Sequence, residues 1–318
     1  MSNVPTYTLN NGEKIPALGL GCWMGELGGE DRAYNMCKKA IEIGYRHIDT
    51  AAGYGNEEAV GRAIRDSGVP RSKFYVTTKL RNMDHGSVRQ AFEKSLASMN
   101  IDYIDLYLIH WPQATTETWS GDAMSPEQSP TVSETWAEME KLLETGKIKS
   151  IGVSNFSSKI IEMLLSTAKV VPAVNQIQLH PYLPQHELLA YMASKGIHAT
   201  AYSSLGQPSG NPSIPNLLSD NTIQSLAEKY DVTTGQVLLS WGVQRGTSVI
   251  PKSENEDRLR KNFTLVKLED QDMKALDDLH KQPGLHRSLM TYHENGVVFG
   301  WTHEQLGWDL TPEGLVKQ

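Results

Sequence analysis

The chain contains 318 residues, of which 39% are hydrophobic and 21% charged, with a formal net charge of −7, as in a soluble globular protein. The acidic balance excludes a broad basic surface for nucleic acid or anionic membrane, and no run approaches the ~20 apolar residues of a membrane span. Cys22 and Cys37 have no metal-binding spacing, and the chain start has no basic and apolar leader, so we predict a reducing, cytoplasmic compartment.

A predicted β-hairpin opens the chain, and short apolar runs then alternate with segments of helical periodicity. The turn Asn10-Asn11-Gly12 favours the hairpin because Asn and Gly adopt positive φ angles readily. Ser87 and Gln90 have the spacing of a capping box at the start of the clearest helix, 87–99. The eight predicted strands after the hairpin cover 16–23, 46–49, 74–80, 105–109, 150–153, 173–178, 198–202 and 248–250.

Apolar strands that alternate with helices, without a break in composition, are the pattern of a parallel sheet closed into a barrel. We therefore predict one domain over residues 1–318, an α/β fold consisting of a single (β/α)8 barrel with an N-terminal β-hairpin and a long C-terminal tail that closes over one mouth. A doubly wound fold would need a Gly-x-Gly-x-x-Gly turn after the first strand, and the segment from Gly19 to Met24 lacks the third glycine. A polar stretch at 113–132 is long enough to be a functional loop.

Polar and titratable side chains occupy the carboxyl ends of the predicted strands. In an α/β barrel these ends meet at one mouth, where the ligand site lies, so positions that are far apart in sequence become one cluster. The residues at these ends are Asp49, Lys79, His110, Ser154, Asn155, Gln176, Ser203 and Lys252.

Four residues at this mouth suggest a site that delivers a proton. An ammonium group such as Lys79 near Tyr54 would favour the ionised phenol and make it a better proton donor. Asp49 would supply the counter-charge that a buried lysine requires, and His110 is placed to orient a carbonyl oxygen. Because no serine or cysteine nucleophile is evident, the electron pair must come from elsewhere, and hydride from a nicotinamide would suit.

A metal site built from His47, Asp49, His110 and His180 is the alternative for this mouth, since barrel hydrolases hold metals at strand ends. His47 argues against it, because alternation along the second strand turns its side chain away from its neighbours. Each strand-end residue taken alone also fits an ordinary ion pair or turn, so the hypothesis depends on the whole set.

Several motifs occur in a fixed order along the chain. They are Gly-Tyr-Arg-His-Ile-Asp-Thr-Ala at 44–51, Tyr54, Lys79 within Thr-Lys-Leu, Leu-Ile-His-Trp-Pro at 108–112, and the segments 146–156 and 250–253. Together they resemble the signatures of the aldo-keto reductase superfamily across nearly the whole chain. The resemblance implies that Tyr54 is the general acid, that Lys79 and Asp49 tune it, and that His110 orients the substrate.

The same resemblance implies NADPH/NADP+ as the coenzyme and assigns its contacts. Lys252, Ser253 and Arg258 match the positions that bind the adenosine 2′-phosphate, where cationic donors paired with a dianion favour NADPH over NADH. The other implied contacts are Ser154, Asn155 and Gln176 with the carboxamide, Tyr202 stacked on the nicotinamide, Ser203 and Leu205 along the pyrophosphate, and Asn262 at the adenine.

Two positions depart from the family's pattern. Lys261 stands where many relatives have a glutamate that contacts the adenine amine, which leaves dual coenzyme use open. Arg81 stands where many aldose-reductase-like relatives place a tryptophan, so we expect a more polar substrate pocket on that side, with Trp23 and Trp111 as its aromatic walls.

We therefore expect NADPH-dependent reduction of aldehydes, and of some ketones or small sugars such as glyceraldehyde, to alcohols, with the reverse reaction as a polyol or alcohol dehydrogenase. A competing interpretation is a nucleotide-binding regulatory or structural protein on the same barrel, although such a protein has no need of a tuned acid. The expected partner is a small carbonyl compound rather than nucleic acid or membrane, and we expect a monomer or weak dimer.

Overall fold

The computed structural model of the protein describes residues 4–116, 122–207, 214–290 and 295–317. The first residues of the chain, and parts of the predicted loop at 113–132 and of the C-terminal tail, lie outside the described residues. Every residue predicted to belong to the site lies within them. The strands are β1 (Thr6–Thr8), β2 (Lys14–Pro16), β3 (Leu20–Gly21), β4 (His47–Asp49), β5 (Tyr75–Leu80), β6 (Ile104–Ile109), β7 (Ile148–Ser154), β8 (Val174–Gln178), β9 (His198–Tyr202), β10 (Ser248–Val249), β11 (Val297–Val298) and β12 (Trp301–Thr302).

The N-terminal hairpin is confirmed. Strands β1 and β2 pair antiparallel, and Gly12 in the turn has a φ of 88°. Tyr7 Oη donates to the carbonyl of Val243 at 2.6 Å, and Asn10 Nδ2 donates to the carbonyl of Pro172, just before β8, at 3.1 Å. The hairpin therefore covers the amino-terminal end of the main sheet, opposite the predicted site.

Strands β3 to β10 form one parallel sheet in which each strand pairs with the next in chain order. The first and last strands also meet, because Gly19 N donates to the carbonyl of Val249 at 2.8 Å and Val249 N donates to that of Ala17 at 2.9 Å. Gly21 N adds a bond to the carbonyl of Pro251 at 3.1 Å. The sheet is closed, so the predicted (β/α)8 barrel is confirmed and its strands end around one mouth.

Helix starts agree only partly with the sequence signals. Ser87 has a ψ of 41°, unlike an extended capping residue, and its side chain makes no capping hydrogen bond, so the predicted capping box with Gln90 is wrong. A capping box does begin α4, where the side chains of Thr131 and Glu134 bond each other's backbone N–H. The helices are α1 (Glu30–Ile43), α2 (Glu57–Asp66), α3 (Val88–Met99), α4 (Val132–Leu142), α5 (Ser158–Leu165), α6 (His186–Ser194), α7 (Asn221–Lys229), α8 (Thr234–Gln244), α9 (Glu256–Asn262), α10 (Asp270–Asp277) and α11 (His303–Leu306).

No helix in the described ranges is both long enough and apolar enough to cross a membrane. Most helices instead bury one face against the barrel, as α3 does with Val88, Phe92, Leu96 and Met99. This burial is the reason that helical periodicity could be detected in the sequence.

Helix α2 packs closely on the end of α3 through Gly61, where a Cβ would overlap the carbonyl oxygen of Met99. We expect Gly61→Ala to lower the free energy of unfolding by about 1–3 kcal/mol, because separating the helices outweighs the better helix propensity of alanine. Urea unfolding checks this result. Gly86→Ala is the matched control, since a Cβ there meets only Pro130 at 3.9 Å. Equal stability of the two variants would contradict the prediction.

The described part of the tail packs over the carboxyl mouth. Trp111, which follows β6, has its ring 5.0 Å from that of Phe299 and 6.0 Å from that of Trp308. Gln113 Nε2 donates to the carbonyl of Val298 at 2.8 Å. Closure of one mouth by the tail is therefore confirmed for these residues. The small hairpin of β11 and β12 and the helix α11 are not predicted, because elements this short leave no period to detect.

Candidate active site

A buried ion pair joins the ends of β4 and β5. Lys79 Nζ donates to Asp49 Oδ1 at 2.5 Å and to the carbonyl of Thr50 at 2.8 Å, and the lysine side chain has no solvent exposure. Gln176 Nε2 on β8 donates to Asp49 Oδ2 at 2.7 Å. Both carboxylate oxygens are therefore bound, as a buried charge requires. The predicted counter-charge of Lys79 is present.

Tyr54 lies at the end of a short 3₁₀ turn that begins three residues after β4 ends. Lys79 Nζ stands 5.1 Å from the centroid of its ring, and the ring of His110 lies edge-on at 5.5 Å. The Trp23 ring also packs against it, at 5.1 Å. Gly28 N donates to the Tyr54 carbonyl at 2.8 Å and holds the turn. The fold thus gathers the predicted proton-delivery residues around one phenol.

Burial raises the pKa of Tyr54 well above its ordinary value, and the negative charge of Asp49 adds to this effect. The net shift is opposite to the lowering that the sequence suggests, because burial and Asp49 outweigh any stabilisation of the phenolate by the paired ammonium group of Lys79. The phenol is consequently protonated throughout the neutral range. This favours its role as a proton donor and opposes a role as a base at neutral pH.

His110 follows β6 and is only 6% exposed. Burial lowers the pKa of His110 well below its ordinary value, and the positive charge of Lys79 lowers it further. Asn155 Nδ2 donates to the His110 carbonyl at 2.9 Å and fixes the backbone beside the ring. The imidazole is therefore neutral at physiological pH and carries one N–H donor and one acceptor.

The alternative metal site is not assembled by this structure. His47 Nε2 lies 3.2 Å from Thr77 Oγ1 on the neighbouring strand, and Asp49 is held by the ion pair. In the described ranges, no group of three His, Cys, Asp or Glu side chains is placed to hold a metal ion. The site therefore has to be interpreted through its acid, its ammonium group and its imidazole.

Ser154, Asn155 and Gln176 meet at the ends of β7 and β8. Ser154 Oγ donates to the carbonyl of Gln176 at 2.9 Å, and Asn155 Nδ2 donates to Ser154 Oγ at 3.1 Å. Tyr202 Oη, at the end of β9, donates to Asn155 Oδ1 at 2.7 Å and lies 3.0 Å from Met290 Sδ. Amide and hydroxyl groups beside an aromatic ring fit a planar ring that carries a carboxamide.

The turn after β9 carries Ser203 and Leu205. Ser203 has a φ of 49°, and Gly206 N closes the turn on the Ser203 carbonyl at 2.8 Å. A Cβ on Gly235 of α8 would lie 3.4 Å from Asn262 Oδ1 and 3.8 Å from Leu205 Cδ2. The absence of a side chain at Gly235 therefore leaves open the place where two predicted coenzyme contacts approach each other.

Three predicted phosphate-binding residues gather after β10. Arg258 Nε donates to Ser253 Oγ at 3.3 Å. Lys252, the residue before Ser253, donates through Nζ to Glu254 Oε1 at 2.6 Å. Two cations and a hydroxyl in one short segment fit a phosphate dianion. Lys261 lies farther along, exposed on α9.

Sequence reasoning missed a second ion pair at this place. Arg32, near the start of α1, donates to Glu254 through Nε at 2.8 Å and Nη2 at 2.7 Å. The two residues are 222 positions apart, and no motif relates them. Only the position of Glu254 two residues after Lys252 could have attracted attention.

Arg81, predicted to line the substrate pocket with Trp23 and Trp111, is paired with a neighbouring carboxylate in this structure. Its guanidinium forms a fork to Asp84, with Nε donating to Oδ2 at 2.6 Å and Nη2 donating to Oδ1 at 3.1 Å. Its other charge interactions include Glu57 and Tyr107, and the Tyr107 ring packs on Phe92 of α3. Arg81 is thus held by a local ion pair with Asp84, and its place in the substrate pocket stays a prediction.

Comparison with known proteins gives a consistent result. A family model described as the aldo/keto reductase family matches residues 17–281. A glycerol 2-dehydrogenase (NADP(+)) of Saccharomyces cerevisiae is 41% identical, over 92% of this chain and 95% of the relative, and an aldehyde reductase of the same yeast is 41% identical, over 89% and 93%. A solved Bombyx mori aldo-keto reductase in complex with NADP has a TM-score of 0.80 and 38% identity, over 86% of this chain and 92% of that chain.

Proposed function

The chain belongs to the aldo/keto reductase family, and from that premise we propose that it reduces aldehydes to alcohols with Tyr54 as the proton donor. It is an NADP-dependent oxidoreductase, as its relatives are. The observation that carries the residue-level proposal is the buried pair of Asp49 and Lys79 with its ammonium nitrogen 5.1 Å from the Tyr54 ring. Some ketones and small sugars, glyceraldehyde among them, are proposed as further substrates.

NADPH, when bound, supplies the hydride that reduces the carbonyl carbon. Tyr54 gives its phenolic proton to the carbonyl oxygen as negative charge develops there, and solvent then returns a proton to the phenolate. The positive charge of Lys79 stabilises that phenolate while it exists. The neutral His110 donates a hydrogen bond to the same oxygen and orients it. These steps balance, because the aldehyde gains one hydride and one proton.

Tyr202 and its partners are proposed to hold the coenzyme. Ser154, Asn155 and Gln176 would bind the carboxamide, and the Tyr202 ring would stack on the nicotinamide. The same proposal places Ser203 and Leu205 along the pyrophosphate, Lys252, Ser253 and Arg258 at the 2′-phosphate, and Asn262 at the adenine.

The reverse reaction is proposed to accelerate with pH. Alcohol oxidation needs the phenolate of Tyr54 as a base, and the raised pKa of this residue keeps it protonated at neutral pH. The protein would therefore oxidise glycerol or other polyols best in alkaline solution.

The rate of aldehyde reduction should depend on pH differently from the rate of alcohol oxidation. The pKa of His110 is lowered and that of Tyr54 raised, so neither group changes its protonation between about pH 5.5 and 8, and we expect kcat to be independent of pH there. Initial rates at saturating aldehyde and constant ionic strength check this prediction. A limb with an apparent pKa near ~6.5 would contradict it, because it would show His110 titrating as an ordinary histidine.

Oxidation of NADPH in the presence of a panel of aldehydes tests the function itself. The panel contains glyceraldehyde, an aromatic aldehyde and a simple ketone, and the absorbance of NADPH is followed. Turnover of at least one aldehyde is expected. Binding of NADP+ without turnover of any compound would instead favour the nucleotide-binding regulatory role.

Location and assembly are part of the proposal. The two cysteines are free and buried, which suits a reducing compartment, and we place the protein in the cytoplasm. We propose a monomer or weak dimer, and light scattering over a range of concentrations would measure this.

A further inference from the structure

Glu254 places a negative charge beside the proposed phosphate site. Its carboxylate accepts hydrogen bonds from Arg32 Nε and Nη2 at 2.8 and 2.7 Å and from Lys252 Nζ at 2.6 Å. Hydrogen bonds from Arg32, and then from Lys252, lower the pKa of Glu254 to about 2. The Glu254 carboxylate is therefore ionised at neutral pH. It is paired with Lys252, the cation proposed to bind the 2′-phosphate.

Arg32 holds Glu254 in place without help from Lys252. The fork from its guanidinium uses both oxygens of the carboxylate, and a third nitrogen of the same group binds Glu26. When Lys252 turns to another anion, Glu254 keeps two hydrogen bonds and stays near. A phosphate that reaches Lys252 therefore has to break one ion pair and remain close to a fixed negative charge.

We propose that Glu254 is a specificity-determining residue for the coenzyme, a resident counter-ion that a 2′-phosphate must displace from Lys252. The inference rests on the proposed 2′-phosphate site. NADH carries a hydroxyl in place of this phosphate and requires no such exchange, so Glu254 weakens the binding of NADPH selectively. Glu254 thereby reduces the preference of the site for NADPH over NADH. It lies closer to Lys252 in the chain than Lys261 does.

Glu254→Gln tests this role directly. Dissociation constants of NADP+ and NAD+ are measured by quenching of tryptophan fluorescence at constant ionic strength, because exposed charges are screened by salt. NADP+ should bind about 2- to 5-fold more tightly, the range expected for losing one partly exposed ion pair, while NAD+ changes little. Unchanged or weaker binding of NADP+ would overturn the proposal, since Glu254 would then position Lys252 rather than compete for it.

Glu256→Gln is the matched control. It removes the same charge two residues farther along, from an exposed pair in which Glu256 Oε1 lies 2.7 Å from Arg260. It should leave both coenzymes unaffected. An equal gain for NADP+ in this variant would overturn the proposal, because the effect would then follow from net charge alone.

Arg32→Met tests whether Arg32 holds Glu254 in place, separately from the competition between Glu254 and the 2′-phosphate for Lys252. Without Arg32, Glu254 keeps Lys252 as its one ion-pair partner among the described residues, so NADP+ should bind more weakly, and this loss should disappear in the Glu254→Gln background. An equal loss of NADP+ affinity in both backgrounds would show that Arg32 acts through its own charge, and would overturn its role in holding Glu254.

Lys252→Met distinguishes this inference from the function on which it rests. If this variant binds NADP+ as the wild type does, the proposed 2′-phosphate site is wrong. If it binds NADP+ more weakly while Glu254→Gln has no effect, the phosphate site stands and the role of Glu254 is wrong.

Discussion

Replacing Tyr54 by phenylalanine is expected to lower kcat for aldehyde reduction about 10²- to 10⁴-fold, the range that a positioned general acid contributes. The ring keeps its contacts with Trp23 and His110, because only one oxygen atom is removed. Affinity for NADP+ should therefore change little. Steady-state rates with one aldehyde, together with a binding titration of NADP+, measure both quantities on the same preparation.

Tyr34→Phe is the matched control for this variant. Tyr34 Oη donates to Asp66 at 2.8 Å, in a contact between α1 and α2, and its loss should leave kcat unchanged. Turnover of Tyr54→Phe at the wild-type rate would show that another group supplies the proton. Loss of NADP+ binding along with the rate would show that Tyr54 shapes the site rather than donating to the substrate.

Replacing Lys79 by methionine is expected to lower the free energy of unfolding by about 3–5 kcal/mol, because it leaves the buried carboxylate of Asp49 without its charged partner. Burial already raises the pKa of Asp49, so in this variant the carboxyl should take up a proton readily. An Asp whose folded pKa is raised becomes less destabilising as pH falls toward its unfolded pKa. The deficit in stability should therefore be largest near neutral pH and should shrink as the solution is acidified.

The double variant Asp49→Asn with Lys79→Met separates folding from chemistry. An uncharged pair of similar size should recover most of the lost stability, since no buried charge remains unpaired. Activity should not return, because the phenolate of Tyr54 would still lack a stabilising cation. Urea unfolding and kcat measured on the wild type, on Lys79→Met and on the double variant decide this. A double variant as unstable as Lys79→Met alone, or as active as the wild type, would contradict the account of the pair.

The barrel could be predicted because its signals are local and repeated. The strand β9 begins and ends where the sequence places it, His198–Tyr202, since a short apolar run lies between Gly196 and a pair of serines. The bounds of the first barrel strand are harder to predict, because 16–23 is almost entirely apolar while β3 covers only Leu20–Gly21. Residues before β3 bond the last strand instead, a contact across the closed barrel that has no local signature.

The clustering of Asp49, Lys79 and His110 could be predicted because each stands at or just after a strand end, and parallel strands end together. The partners of each side chain and the balance of charges around it could not be predicted. Arg81 forms an ion pair with Asp84, only three residues later, which the polar pocket wall suggested by the sequence does not include. The pKa of Tyr54 is raised rather than lowered, because burial and Asp49 outweigh the stabilisation of the phenolate that the sequence suggests for Lys79.

Transfer of deuterium from NADPH labelled at C4 of the nicotinamide tests the central claim most directly. The protein is incubated with both C4 epimers of the labelled coenzyme in turn and a simple aldehyde, and the alcohol is analysed by mass spectrometry. One epimer should give an alcohol with a single deuterium on the carbinol carbon, and the label should not exchange with water. An alcohol without deuterium from either epimer, or no alcohol at all, would contradict the proposed hydride transfer.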